Sequence, residues 1–189
     1  MKIYLFDQEN KMTKHLHRLK KETVMQYDSN LLEEKISTIE INIAKTIDKV
    51  NLDFLFAYNI FPKSIMGFKT QWYEERREMR KNDTIAQQVY IPPTKLFSQK
   101  IIFGVRIKDV INEANRKGFS YETISGHVEK GISIFTVEQI NNKLIFKIHT
   151  YSSPGNLLTK LLSPIFSIPY QTFCTNKALN NVKKQIELQ

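Results

Sequence analysis

Residues 118–131 read Gly-Phe-Ser-Tyr-Glu-Thr-Ile-Ser-Gly-His-Val-Glu-Lys-Gly, three glycines set among two aromatics, a histidine and two carboxylates. Glycine recurring inside an aromatic, strand-like run marks backbone that bends sharply or is approached closely by a neighbour. Phe119, Tyr121 and Thr123 sit two apart and so project to one side of an extended chain. A chain carrying this stretch is therefore committed to a β-rich, bent surface, with a tight turn near Gly126-His127.

The flanking runs extend that surface. Ile101, Phe103, Val105 and Ile107 share one face of a strand, and Ile102, Gly104 and Arg106 share the other. Gly104 interrupts that apolar strand, which signals a bulge or a close backbone contact. Residues 84–91 form a strand halted by Pro92-Pro93. Residues 132–140 and 143–152 flank Asn141-Asn142, a two-residue hairpin turn, since asparagine tolerates positive φ. Upstream, Ile36, then Ile39, Ile41 and Ile43, place a strand over 35–43. Ile47, Val50, Leu52, Phe54, Leu55 and Phe56 follow at mixed spacing, consistent with one or two short buried helices ended by Pro62. A charged helical turn follows Trp72.

From residue 157 onward the period is helical. Ser163-Pro164 and Ser167-Ile168-Pro169 each have the form of a helix start, so a broken helix is expected with its last segment over 168–187. The first thirty residues are polar and charge-mixed, with a helical pattern around Met12, Leu16 and Leu19. They are expected to be a peripheral extension (1–30) on one domain (31–189). One helix pressed into a curved antiparallel sheet buries both apolar faces, an α+β solution. This order resembles the START-like helix-grip fold, in which sheet and terminal helix enclose an apolar cavity.

Gly118, Phe119, Tyr121, Thr123, Gly126, His127, Glu129 and Gly131, followed by Phe135 and by Ser152, Ser153 and Pro154, resemble the pattern of the domain-of-unknown-function 1990 (DUF1990) family. The resemblance spans roughly residues 45–187. It departs in two places: Gly131-Ile132-Ser133 stands where many relatives carry Gly-Glu-Glu, and Ser152-Ser153-Pro154 where they carry Ser-Arg-Pro. The resemblance implies the helix-grip fold and brings no reaction or cofactor with it.

Composition narrows the function classes. A net charge of +9 raises nucleic acid or an anionic membrane as partners. The basic residues are dispersed and several sit beside acids, as in Glu74-Glu75-Arg76-Arg77-Glu78, so the expectation is a solvated basic surface, with weak anionic membrane contact and no specific nucleic acid. The single cysteine, Cys174, cannot form an internal disulfide and reads as a small buried hydrophobe. No secretory signal is visible, because the apolar run after Met1 stops at Asp7. The apolar stretches 52–61 and 157–170 are interrupted well short of the about 18 residues of a spanning helix. A cytoplasmic protein is expected. No phosphate-cradling glycine loop is present.

Two constellations remain. His127 and Glu129, two apart, project together on an extended backbone, and a carboxylate orienting an imidazole prepares a general base. Tyr121 and Arg106 would add a hydroxyl donor and an anion clamp where they face the same volume. The plainer reading is a tight turn whose imidazole and carboxylate bond backbone groups, and no nucleophile accompanies the pair. The second constellation is aromatic: Phe54, Phe56, Trp72, Phe103, Phe119, Phe135, Phe146, Phe166, Tyr170 and Phe173, drawn from twelve Phe, eight Tyr and one Trp. As a group on a grip-like fold, some should face the cavity; Trp72, Phe103, Phe119, Tyr121 and Phe173, with Arg106, are the ligand-binding candidates. No zinc-type spacing appears: His15 and His17 lie in a helical pattern where residues two apart diverge, and read as surface histidines. No metal or cofactor is expected.

Three readings stay open: a module binding a hydrophobic or lipid-like small molecule, which is preferred, a cyclase- or hydrolase-like enzyme using His127 and Glu129, and a peripheral membrane or interaction protein using the basic surface and the segment 157–170.

Overall fold

The computed structural model describes residues 2–93, 97–155 and 168–189. Eight strands form one curved, unclosed antiparallel sheet, seven of them in the order β2-β8-β7-β6-β5-β4-β3, with β1 paired to β5 off that path. The strands are β1 (Lys2–Tyr4), β2 (Glu33–Ile41), β3 (Met66–Thr70), β4 (Thr84–Ile91), β5 (Gln99–Asn112), β6 (Arg116–Thr123), β7 (Glu129–Ile140) and β8 (Lys143–Pro154). The helices are α1 (Met12–Leu19), α2 (Asp53–Phe56), α3 (Gln71–Glu74) and α4 (Ile168–Glu187). The predicted strand over 84–91 and helix over 168–187 are found with those limits. The helix start predicted at Ser163-Pro164 lies outside the described residues, as do Phe166 and most of the segment 157–170.

Side-chain alternation assigns the two faces. Ile101, Phe103, Val105 and Ile107 of β5 join Phe119, Phe135, Val137, Leu144, Phe146 and Ile148 in the main core on the concave side. α4 supplies Cys174, Ala178, Leu179, Val182 and Ile186 to that core, a stripe recurring every three or four residues. Because β2 and β3 lie at opposite edges, residues 42–65 must cross the whole sheet. On the way they bury Ile47, Val50, Leu52, Leu55, Tyr58 and Ile60. Ile36 falls out of phase with Ile39 and Ile41 and is 55% exposed, so the strand's apolar pattern is shorter than its isoleucines suggest.

Curvature has a local cause. Gly118 pairs with Thr136, and a Cβ there would stand 1.9 Å from the Phe135 carbonyl oxygen. Gly131 pairs with Ser152 at φ +146°, and its Cβ would stand 2.0 Å from the Tyr151 carbonyl oxygen. No L side chain fits either place, so the neighbouring strands can close in and the sheet can bend. The β7–β8 hairpin turns through Asn141 and Asn142 at φ 49° and 63°, the doubly left-handed geometry matched to strand twist.

The convex face carries a second, smaller core. Met12, Leu16 and Leu19 of α1 pack on Ala86, Ile102 and Ile124. β1 pairs with β5 through Lys2–Ile102, Ile3–Ile101 and Tyr4–Lys100, taking the edge of β5 beyond the end of β6. Gly104 marks a close contact: a Cβ there would lie 2.8 Å from Ile124 Cδ1 and 3.2 Å from Leu19 Cδ1. The bulge of β5 falls instead between Ile107 and Asp109. His15 corrects the surface reading, being 7% exposed and edge-on to Tyr4 at 5.4 Å between ring centres. His17, two residues on, is exposed. Among the described residues no helix is long and apolar enough to cross a membrane.

Candidate functional site

The concave face changes character along its strands. At one end the inward positions are apolar and fully buried: Ile107, Phe119, Val137, Leu144 and Phe146, beneath Ala178, Val182 and Ile186 of α4. Here Phe119 stacks on Phe135 at 5.3 Å, Tyr121 lies 5.2 Å from Phe135, and Tyr58 closes from the crossing segment at 5.9 Å from Phe119. Gln87 satisfies the buried Tyr58, its amide donating to the phenol oxygen at 2.5 Å.

Continuing along the same inward registers, β6 passes from Phe119 through Tyr121 to Thr123, β7 from Phe135 through Ser133 to Glu129, and β8 from Ile148 to Thr150 and Ser152. The greasy wall becomes one of hydroxyls and a carboxyl. Thr150 Oγ1 donates to Ser133 Oγ at 3.2 Å, and Gly131 N–H donates to Thr123 Oγ1 at 3.1 Å. Tyr121, Glu129, Ser133, Thr150 and Ser152 are each only partly buried although they project inward. The first turns of α4, carrying Tyr170, Gln171 and Cys174, lie over this end. Gln171 donates to the Glu129 carboxylate across the gap.

His127 reaches this region from the turn Ile124-Ser125-Gly126-His127, closed by His127 N–H donating to Ile124 O at 3.0 Å, with Gly126 at φ 83°. Its ring lies edge-on to Phe103, 4.2 Å between ring centres. Nδ1 is committed to the backbone: Glu129 N–H lies 3.0 Å from it and Glu129 O 2.9 Å. The carboxylate of Glu129 is turned to α4, so the imidazole–carboxylate bond expected of a general-base pair is not made. Burial lowers the imidazole pKa to about 4 and raises that of the Glu129 carboxyl. Burial also raises the Cys174 thiol, the reverse of what a nucleophile needs.

Of the predicted site residues, Phe103, Phe119, Tyr121, His127 and Glu129 come together on the concave side. Three do not join them. Arg106 follows Val105 on β5 and so points to the convex face, where its guanidinium donates to the carbonyls of Lys20 and Glu22 at 3.2 and 2.9 Å. It anchors the chain leaving α1 and cannot clamp an anion in the interior. Phe173 precedes Cys174 by one residue, about 100° around the helix, and is 37% exposed beneath Lys177. Trp72 is buried in the main core and bounds a different space, an open cleft of about 1300 Å³ with Val50, Leu52, Phe56, Met79 and Val110.

Ser133, Thr150, Gln87, Tyr58 and Gln171 were not anticipated. Ser133 and Thr150 continue the period-two registers of Phe135 and Ile148, so that phase could have found them. Gln171 carries no such signal, because its meaning depends on where α4 docks. Among the described residues no group of three His, Cys, Asp or Glu side chains could hold a metal ion.

A family model described as "Domain of unknown function (DUF1990)" matches residues 55–181. None of the curated proteins compared with the chain matches it. Among solved structures, a ginseng major latex-like protein 151 from Panax ginseng superposes with TM-score 0.56 at 13% identity, over 82% of this chain and 98% of that one. A hypothetical protein from Helicobacter pylori gives 0.53 at 8% identity, over 88% and 96%. The KanY protein gives 0.52 at 12% identity, over 82% and 98%. At these identities the likeness is one of fold, the helix-grip arrangement.

Proposed function

The chain belongs to the DUF1990 family, and on that premise we propose that it is a binding module for a hydrophobic small molecule bearing one uncharged polar group. The observation that carries this reading is the gradient on the concave face. Inward-pointing Tyr121, Ser133 and Thr150 remain partly accessible beneath the first turns of α4, while the same registers farther along are sealed by rings. An apolar wall with a few convergent hydrogen-bonding groups is the ordinary make-up of a small-molecule site.

The chemistry of the lining selects the ligand class. Hydroxyls of Tyr121, Ser133 and Thr150 both donate and accept, suiting a hydroxyl or carbonyl group. Arg106 is occupied on the other face, and burial keeps His127 uncharged at neutral pH. A fully ionised carboxylate or phosphate would meet the Glu129 carboxyl without an opposing cation from either residue. The enzyme reading draws no comparable support, since the Glu129 carboxylate is bonded to Gln171 and does not orient the imidazole.

Native mass spectrometry of the purified protein, with organic extraction, and titration with an environment-sensitive apolar dye test the proposal together. A co-purified apolar molecule or saturable dye uptake is expected, and Thr150→Leu, which fills the inward space, should suppress uptake while leaving the melting temperature close to wild type. Neither occupant nor saturable uptake, or full uptake by a folded Thr150→Leu protein, would overturn it.

A further inference from the structure

The N-terminal strand ends in an apolar tip that the sheet does not use. Leu5 and Phe6, just past β1, are 74% and 80% exposed, Ile3 is 53% exposed, and Phe97 is 99% exposed at φ 57°. A single ammonium brings the two turns together: Lys100 Nζ donates to Leu5 O at 3.3 Å and to Ser98 O, the residue after Phe97, at 2.7 Å. Phe6 is fixed further by Gln8, whose amide donates to Phe6 O at 3.0 Å. The turn is thus built to present its rings outward.

Positive charge lies beside the start of this tip. Lys2, Lys11 and Lys14 are exposed, and burial first, then Arg18 with these lysines, holds down the pKa of His15, which packs on Tyr4 next to Leu5. Two acids are local, Asp7 and Glu9. Asp7 turns an oxygen inward, accepting from Glu9 N–H at 2.8 Å and from the Gln88 amide at 3.2 Å. The lysines are not so held, and the chain as a whole carries +9.

We propose that this tip is a docking surface for an anionic lipid membrane, with Leu5, Phe6 and Phe97 entering the headgroup–acyl boundary and Lys2, Lys11 and Lys14 facing the anionic headgroups. Rings and an aliphatic chain at a loop tip beside basic side chains match that interface in both apolar depth and sign of charge. The surface lies at the end of β5 where that strand begins, on the same strand as Phe103.

Sedimentation of the full chain with vesicles tests it. Phosphatidylcholine vesicles with added phosphatidylserine should carry the protein down at low salt, and far less at high salt or without the anionic lipid. The Leu5→Ser/Phe6→Ser/Phe97→Ser protein should lose about tenfold or more in partition coefficient. Lys2→Gln, Lys11→Gln and Lys14→Gln should each cost about fivefold. Circular-dichroism melting establishes that the variants fold; if the triple variant does not, Phe97→Ser alone, at a fully exposed position, carries the test with a loss of severalfold. Absence of wild-type sedimentation with anionic vesicles at low salt, or retention of full binding by the folded serine variants, would overturn the proposal.

Discussion

The two ends of the concave face are built from the same strands and covered by the same helix, yet they answer to different constraints. At the Phe119–Phe135 end the inward side chains are mostly apolar and sealed, with Gln87 spent on Tyr58, and α4 contributes Ala178, Val182 and Ile186, all without exposure. At the Ser133–Thr150 end the inward groups are polar, half-buried, and bonded to one another or to the first turns of α4. Close packing makes the first end intolerant of lost volume. The second contributes less burial, so its side chains are under a weaker packing constraint. Tightness of packing changes along the strands, within one sheet and under one helix.

The sharpest way to break this contrast is Phe135→Ala. Its ring is 2% exposed and stacked on Phe119, so a loss of about 3–5 kcal/mol is expected in chemical denaturation. A loss below about 1 kcal/mol would mean that the rings are not close-packed.

Next in size is Leu16→Ala on the convex face, where the side chain is 2% exposed between α1 and Ile102. A cost of about 2–4 kcal/mol is expected. If the N-terminal extension melts as a separate unit, hydrogen exchange will show the change confined to residues 2–25, with β7 and β8 unaffected.

A pH experiment sharpens the comparison at the polar end. Burial depresses the folded pKa of His127 from 6.5 to about 4, so the folded state prefers the neutral ring. Its contribution is complete above the unfolded pKa and is lost as pH falls from about 6.5 toward about 4. Two and a half units set a ceiling of about 3 kcal/mol, and partial exposure of the ring reduces it to about 1–2 kcal/mol. Glu129 works in the opposite sense: with its folded pKa raised, its contribution is present at low pH and lost as pH rises through that value. His127→Gln should therefore flatten the loss of stability between neutral pH and about 4 relative to wild type. An unchanged slope would mean that the ring is solvated.

The smallest effect is expected from Ser133→Ala. Ser133 accepts from Thr150 and also bonds the Tyr121 phenol, both neutral hydrogen bonds at a half-buried site, so the change in stability should be about 1 kcal/mol while uptake of an apolar probe changes measurably. A large loss of stability there would erase the division between the two ends.

Most of the architecture was legible because strand and helix periods are local. Pro92-Pro93 closes β4, Asn141-Asn142 turns the hairpin, and the apolar stripe of α4 follows from Cys174, Ala178 and Val182. The glycines of 118–131 foretold tight backbone, since excluded Cβ atoms leave no other residue for those positions. What escaped were facts of docking. The outward turn of Phe173 depends on which stripe of α4 meets the sheet. The loss of the His127–Glu129 bond depends on Gln171 arriving from forty-two residues away. Arg106 was placed on the face opposite Val105 by alternation alone, and only the position of α1 reveals what it holds. His15 was misread for the same reason: nothing within α1 says that Tyr4 will cover it.

β1 has a consequence of its own. Its three residues occupy the stretch of β5 that β6 leaves behind, satisfying Lys100, Ile101 and Ile102 on that side. Without them this stretch would offer bare amides and carbonyls beside apolar side chains, an invitation to a strand from another molecule. A chain trimmed at its beginning should self-associate before it unfolds, because the short first strand shields that edge.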